Sequence, residues 1–99
     1  MNTINKTYSP YSIQSMRAVL KNSLRGYTRV TNQILHTLEQ LGFEIRRASN
    51  HYILTTHTSN YSDKVPDRIL VFSLSKTPSD KRAGLNIAST ICNTIEQYL

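Results

Sequence analysis

The apolar residues of this chain change their spacing at Gly42, and that change limits the fold more than any other feature. Before it, Ile13, Met16, Leu20 and Leu24, then Val30, Ile34, Leu35, Leu38 and Leu41, recur in steps of three and four. Such steps put apolar side chains on one face of a helix. The spacing predicts a first amphipathic helix from Ser12, ended or kinked by Gly26 and Tyr27. A second helix should start at a Thr28 or Thr31 cap and stop at Gly42, where a left-handed residue closes a helix. After Gly42 the period becomes two. Phe43-Glu44-Ile45-Arg46 alternates as a half-buried strand does, Ala48-Ser49-Asn50 reads as a turn, and His51 to Thr58 reads as a second strand. Thr58 to Pro66 is a polar loop, and Asp67 to Ser75 makes a third strand around Ile69-Leu70-Val71-Phe72. Helical spacing then returns from about Lys81 to Tyr98, with Leu85, Ala88, Ile91, Cys92 and Ile95 expected to face inward and Ser79-Asp80 to cap the start. The resulting order is α-β-β-β-α behind an extra N-terminal amphipathic helix. It is an α+β arrangement with a three-stranded antiparallel sheet and helices on one face.

A chain of 99 residues has room for one small domain, and 38% hydrophobic residues can supply one modest core. The single cysteine, Cys92, excludes an intramolecular disulfide and a Cys-based zinc site. The longest apolar runs fall far short of the roughly 20 residues of a membrane span, and the polar start (Asn2, Thr3, Asn5, Lys6) does not read as a signal peptide. A soluble, cytoplasmic protein with no membrane association is expected. Its formal charge of +6 is unevenly placed. Residues 1–38 carry Lys6, Arg17, Lys21, Arg25 and Arg29 and no acid, whereas 39–99 are nearly balanced. Arg17, Lys21, Arg25 and Arg29 recur every four residues, so a continuous helix would align them as a phosphate track or as an ordinary solvated face.

Few residues can carry chemistry. His36 lies beside Leu35 in the second helix and is expected at the edge of the core. His51 and His57 share one face of a regular strand but sit roughly 20 Å apart, too far to hold one metal ion. No other spacing suits a metal, a nucleotide cofactor or a Ser-His-Asp arrangement, so neither metal nor cofactor is expected. The segment Ser75-Lys76-Thr77-Pro78-Ser79-Asp80-Lys81-Arg82 is more informative. It sets Lys76, Lys81, Arg82 and the Ser79 hydroxyl at a helix start, where free N–H groups and the dipole favour a phosphate. Asp80 competes for the same positive end.

Two runs resemble a known family. Leu38-Glu39-Gln40-Leu41-Gly42-Phe43-Glu44-Ile45-Arg46-Arg47, followed by Ser49-Asn50-His51-Tyr52, is similar to the opening of HicA-type toxins. Thr77-Pro78-Ser79-Asp80-Lys81-Arg82-Ala83-Gly84-Leu85-Asn86 is similar to a later run in short HicA-like proteins of phages and mobile elements. The resemblance covers about residues 30–98. It implies a fold like the double-stranded-RNA-binding domain over 28–99, with 1–27 as an added arm and basic helix. It also implies an endoribonuclease acting on mRNA through a strand histidine, carried here by His51, and silenced by a HicB-type antitoxin. An imidazole can take a proton from a ribose 2′-hydroxyl and return one to the leaving oxygen, with cations steadying the phosphate. The family's Gly-Ser-His is Ser49-Asn50-His51 here.

The expected function is therefore nucleic-acid binding, RNA favoured over DNA. The contacts would be Arg17, Lys21, Arg25, Arg29, Lys76, Ser79, Lys81 and Arg82, with His51 as the catalytic candidate for metal-independent cleavage. The alternative is a non-catalytic phage or mobile-element protein that binds a protein partner as inhibitor or adaptor, using the first helix as its surface. The sequence leaves the oligomeric state open.

Overall fold

In the computed structural model, which describes residues 12–99, the chain begins with α1 (Ile13–Leu24) and α2 (Asn32–Gln40). There follow β1 (Glu44–Arg47), β2 (His51–His57), a single 3-10 turn (Thr58–Asn60), β3 (Ile69–Ser75) and α3 (Ala83–Gln97). The strands form one antiparallel sheet in the order β1-β2-β3, so the architecture is the α+β arrangement that the change of period predicts. The expected arm ending at Ser9-Pro10 lies outside the described residues.

Local chemistry sets the helix ends. Ser12 caps α1 by accepting the Ser15 N–H, and Thr31 caps α2 by accepting the Ile34 N–H, each at 3.2 Å. The C-terminus of α2 is a Schellman motif: the Gly42 N–H bonds the Glu39 carbonyl and the Phe43 N–H bonds the Leu38 carbonyl. Gly42 stands at φ +103°, where an L side chain is strained, and buried Phe43 and Leu38 supply the motif's apolar contact.

α1 belongs to the same core as the rest of the chain. Met16, Leu20 and Leu24 are fully buried, as are Leu38, Leu41, Leu54, Leu74, Ile91 and Ile95. Burial of each such side chain contributes about 1.5–3 kcal/mol. α1 lies against α3 closely enough that a Cβ on Gly84 would collide with the Leu24 carbonyl. Gly84 therefore takes the buried place in the first turn of α3, and Leu85, expected there, is only half-buried. On the sheet, Tyr52, Leu54, Thr56, Leu70, Phe72 and Leu74 face the core, and Phe43 meets Phe72 edge-on with ring centroids 6.3 Å apart. The opposite sheet face is open, carrying His51, Ile53, Thr55 and His57 from β2 and Ile69, Val71 and Ser73 from β3.

Two boundaries differ from those the sequence suggests. β3 begins at Ile69 because residues 66–68 are held to the 3-10 turn. Thr58 donates its hydroxyl to the Pro66 carbonyl, its Oγ1 accepts the Arg68 N–H, and Asp67 accepts the Ser59 N–H. α3 begins at Ala83, two residues late, because Asp80 forms its own turn first: its Oδ1 accepts the Arg82 N–H at 2.9 Å and its carbonyl accepts the Ala83 N–H. Arg82 occupies the cap position with no side-chain bond, so Ser79 does not cap the helix.

Candidate nucleic-acid interface

The first predicted binding element, the basic stripe, is interrupted. Only Arg17 and Lys21 lie within α1; Arg25 is its C-terminal cap and Arg29 follows the turn at Gly26. Arg17 points at α3, with one guanidinium nitrogen 2.9 Å from Glu96 and another 3.2 Å from Asn93. The four cations therefore do not form one continuous helical track. Lys21 is half-buried, while Arg25 and Arg29 are exposed.

The second element converges on His51. Alternation along β1 and β2 leads into the Ala48-Ser49-Asn50 turn, which is closed by the Ala48 N–H bonding the His51 carbonyl at 2.8 Å. His51 opens β2, exposed on the outer face, directly opposite Ser75 on β3. One residue beyond Ser75, Lys76 is tied to the same turn twice. Its N–H bonds the Asn50 carbonyl at 3.1 Å and its ammonium bonds the Ser49 carbonyl at 3.2 Å. The ammonium also lies 5.3 Å from the centre of the Tyr52 ring, a cation–π distance. An ammonium has three donors, so the Ser49 bond leaves two. Across the sheet, Arg46 pairs with Ile53, which places it on the His51 face as a diagonal neighbour at about 7–8 Å.

His51 and Arg46 thus share the outer face of a short antiparallel scaffold, while the Lys76 ammonium, held at the Ser49 carbonyl and against the core-facing Tyr52 ring, lies at the same end of the sheet towards its other face. The sequence reading did not include Arg46, although the alternation of Phe43-Glu44-Ile45-Arg46 already turns it outward. Ser79, Lys81 and Arg82 are exposed in the loop before α3, and neither Lys81 nor Arg82 forms a side-chain hydrogen bond or ion pair among the described residues. The free N–H end of α3 is served by Asp80, an unfavourable neighbour for a phosphate.

The other histidines are placed differently. His36 is exposed on α2 instead of at the edge of the core. His57, at the far end of β2, has its Nδ1 3.2 Å from Asp67. The Ser59 N–H and, less strongly, His57 hold the Asp67 carboxyl below its ordinary value. No cluster of metal-ligating side chains occurs among the described residues. Cys92 is fully buried, and burial pushes its thiol up, away from the reactive thiolate. A cleft of about 340 Å³ lies between α1 and α2, lined by Asn22, Ser23, Thr31, Gln33, Ile34 and Thr37. It contains no charged group and none of the predicted site residues.

No protein family, curated protein or solved structure matches the chain. Among the described residues, no helix is long and apolar enough to cross a membrane.

Proposed function

We propose that this protein is a cytoplasmic, HicA-toxin-like domain that binds RNA at the end of the sheet that carries His51 and Arg46 on its outer face and Lys76 at the adjoining turn. The observation that carries this reading is the placement of His51 and Arg46 on one exposed sheet face, with the doubly attached Lys76 at the turn that leads into His51. A phosphodiester on the outer face meets His51 and Arg46, and the neighbouring phosphates of its strand lie towards Lys76 past the turn. Exposed Lys81, Arg82, Arg25 and Arg29 add to the positive field that draws in a polyanion.

The same corner supports cleavage without a metal. His51 takes the proton of a ribose 2′-hydroxyl, the 2′-oxygen attacks the adjacent phosphorus, and the bond to the 5′-oxygen breaks. The imidazolium returns its proton to that oxygen, giving a 2′,3′-cyclic phosphate and a 5′-hydroxyl end. Arg46, on the same face, opposes the charge that builds on the phosphoryl oxygens. In this reading a HicB-type antitoxin is the protein that would silence the site.

The alternative, an adaptor that lies on a protein partner through the first helix, loses its apolar surface. Met16, Leu20 and Leu24 are fully buried in the core.

Purified wild type and His51→Ala, incubated with single- and double-stranded RNA, test the proposal. Cleavage by wild type and not by the variant, with both binding RNA, is the expected result. Equal cleavage by both removes His51 from catalysis, and failure of both to bind RNA or DNA at low salt overturns the nucleic-acid reading.

A further inference from the structure

The outer edge of β3 is an open strand with a symmetric bonding pattern. The Lys76 N–H bonds the Asn50 carbonyl and the Thr58 N–H bonds the Arg68 carbonyl, so even-numbered residues of β3 direct their backbone groups to β2. Odd-numbered residues direct theirs outward. At the C-terminal end that edge is covered: the Tyr27 hydroxyl donates to the Ser75 carbonyl, and the Val30 N–H donates to the Lys76 carbonyl. The outward N–H and C=O groups of Ile69, Val71 and Ser73 have no partner among the described residues. These three residues are symmetric about Val71.

Edge strands are ordinarily guarded by a lysine, a proline, a bulge or a covering element. Ile69–Ser75 carries no charge and no proline, and its register with β2 is unbroken over all seven residues. Its outward side chains include Ile69 at 63% and Val71 at 61% exposure, the two most exposed large apolar residues described.

We propose that a second copy of this chain pairs antiparallel with this edge about a two-fold axis at Val71, joining the two sheets into one of six strands. In that register Val71 faces Val71 of the second copy, and Ile69 faces its Ser73. Every outward N–H then meets a carbonyl. Charge favours a copy of this same chain in this register. Uncharged strand meets uncharged strand over 69–73, while Asp67 of each copy is carried towards the covered end of the other's β3, where exposed Arg29 precedes Val30. The two His51 corners stand at opposite ends of the joined β3 strands, so both remain open. The contact is confined to the free stretch 69–73 and is small beside the roughly 1,200 Å² of a stable complex. The dimer is therefore weak and appears only at high protein concentration.

Sedimentation equilibrium of the full chain across a concentration series, with cysteine cross-linking, tests this. Wild type is expected to shift from monomer to dimer, and Val71→Lys, on an exposed side chain, to weaken association at least tenfold while its circular dichroism stays unchanged. The hydrogen-bonded antiparallel pair places facing Cα atoms about 5.5 Å apart, within disulfide range. Val71→Cys should therefore oxidise to a covalent dimer, and Ile69→Cys, which faces Ser73, should not. A monomer at every concentration, or equal cross-linking by the two cysteine variants, overturns the proposal. Slow amide exchange at 69, 71 and 73 in a strict monomer also overturns it, since another part of the chain would then cover the edge.

Discussion

Lys76 reaches from the end of β3 to the β1–β2 turn and sets its ammonium 3.2 Å from the Ser49 carbonyl. The two residues are 27 positions apart in sequence, and their contact fixes a loop lysine at the turn that leads into His51. If nucleic acid binds there, Lys76→Ala should weaken RNA binding across sequences and lower the slope of log K against log salt by about 1. The cation–π contact is worth only about 0.5–1 kcal/mol at an exposed site, so the melting temperature should move little. Filter binding over a salt series, beside a thermal melt, checks both expectations.

Arg17 behaves differently because it is already engaged. Its pair with Glu96 is partly exposed, so Arg17→Ala should cost less than about 1 kcal/mol in chemical denaturation. The same variant should leave the salt slope of RNA binding unchanged. A drop in that slope as large as the Lys76→Ala drop would show that Arg17 leaves Glu96 to meet phosphate.

A buried polar network fastens the residues after β2 beneath the α2–β1 corner. The Tyr61 hydroxyl donates to the Leu41 carbonyl at 3.0 Å and lies 2.9 Å from the Thr56 hydroxyl, while Thr56 and Asn60 both donate to the Gly42 carbonyl. Tyr61→Phe keeps the ring and strands the Leu41 carbonyl, so it should cost about 1–3 kcal/mol. Burial pushes the phenol up from 10.0 to about 12, against a smaller opposing effect of the Thr56 bond. A raised acid stabilises the fold in its neutral form. That contribution is present below pH 10 and is lost as pH climbs towards about 12. Denaturant melts should therefore show wild type converging on Tyr61→Phe over that alkaline window, and a constant gap would contradict the assignment.

Gly84→Ala should be among the most damaging single-methyl changes in the chain. The added carbon meets the Leu24 carbonyl, which is backbone at the end of α1, and has no side chain to displace. Overpacking that forces a backbone shift costs about 1–3 kcal/mol, and here it must part α1 from α3. A urea melt measures the loss. Unchanged stability would mean that the two helices are not in such close contact.

The helices, the meander and the stop at Gly42 were legible because each rests on local rules. Periods of three to four and of two assign the elements, and Gly42 supplies a backbone conformation that few other residues tolerate. What was not legible depends on residues distant in sequence. No spacing rule connects Arg17 to Glu96, Asp67 to His57, or Lys76 to Ser49. The start of α3 was misplaced because Ser79 and Asp80 are both competent caps, and only the closed Asp80 turn distinguishes them. Arg46 could have been found earlier, since strand alternation alone turns it to the face that carries His51.

The most direct test of RNA binding at the His51 corner is a titration of isotopically labelled protein with a short RNA, followed by amide and side-chain NMR shifts. The largest changes are predicted at Arg46, Ser49 to His51, Ser75 and Lys76, with the α1 residues that face α3 unmoved. Saturable binding whose shifts spare that corner and gather on Lys21, Arg25 and Arg29, or no shift at all at low salt, would contradict it.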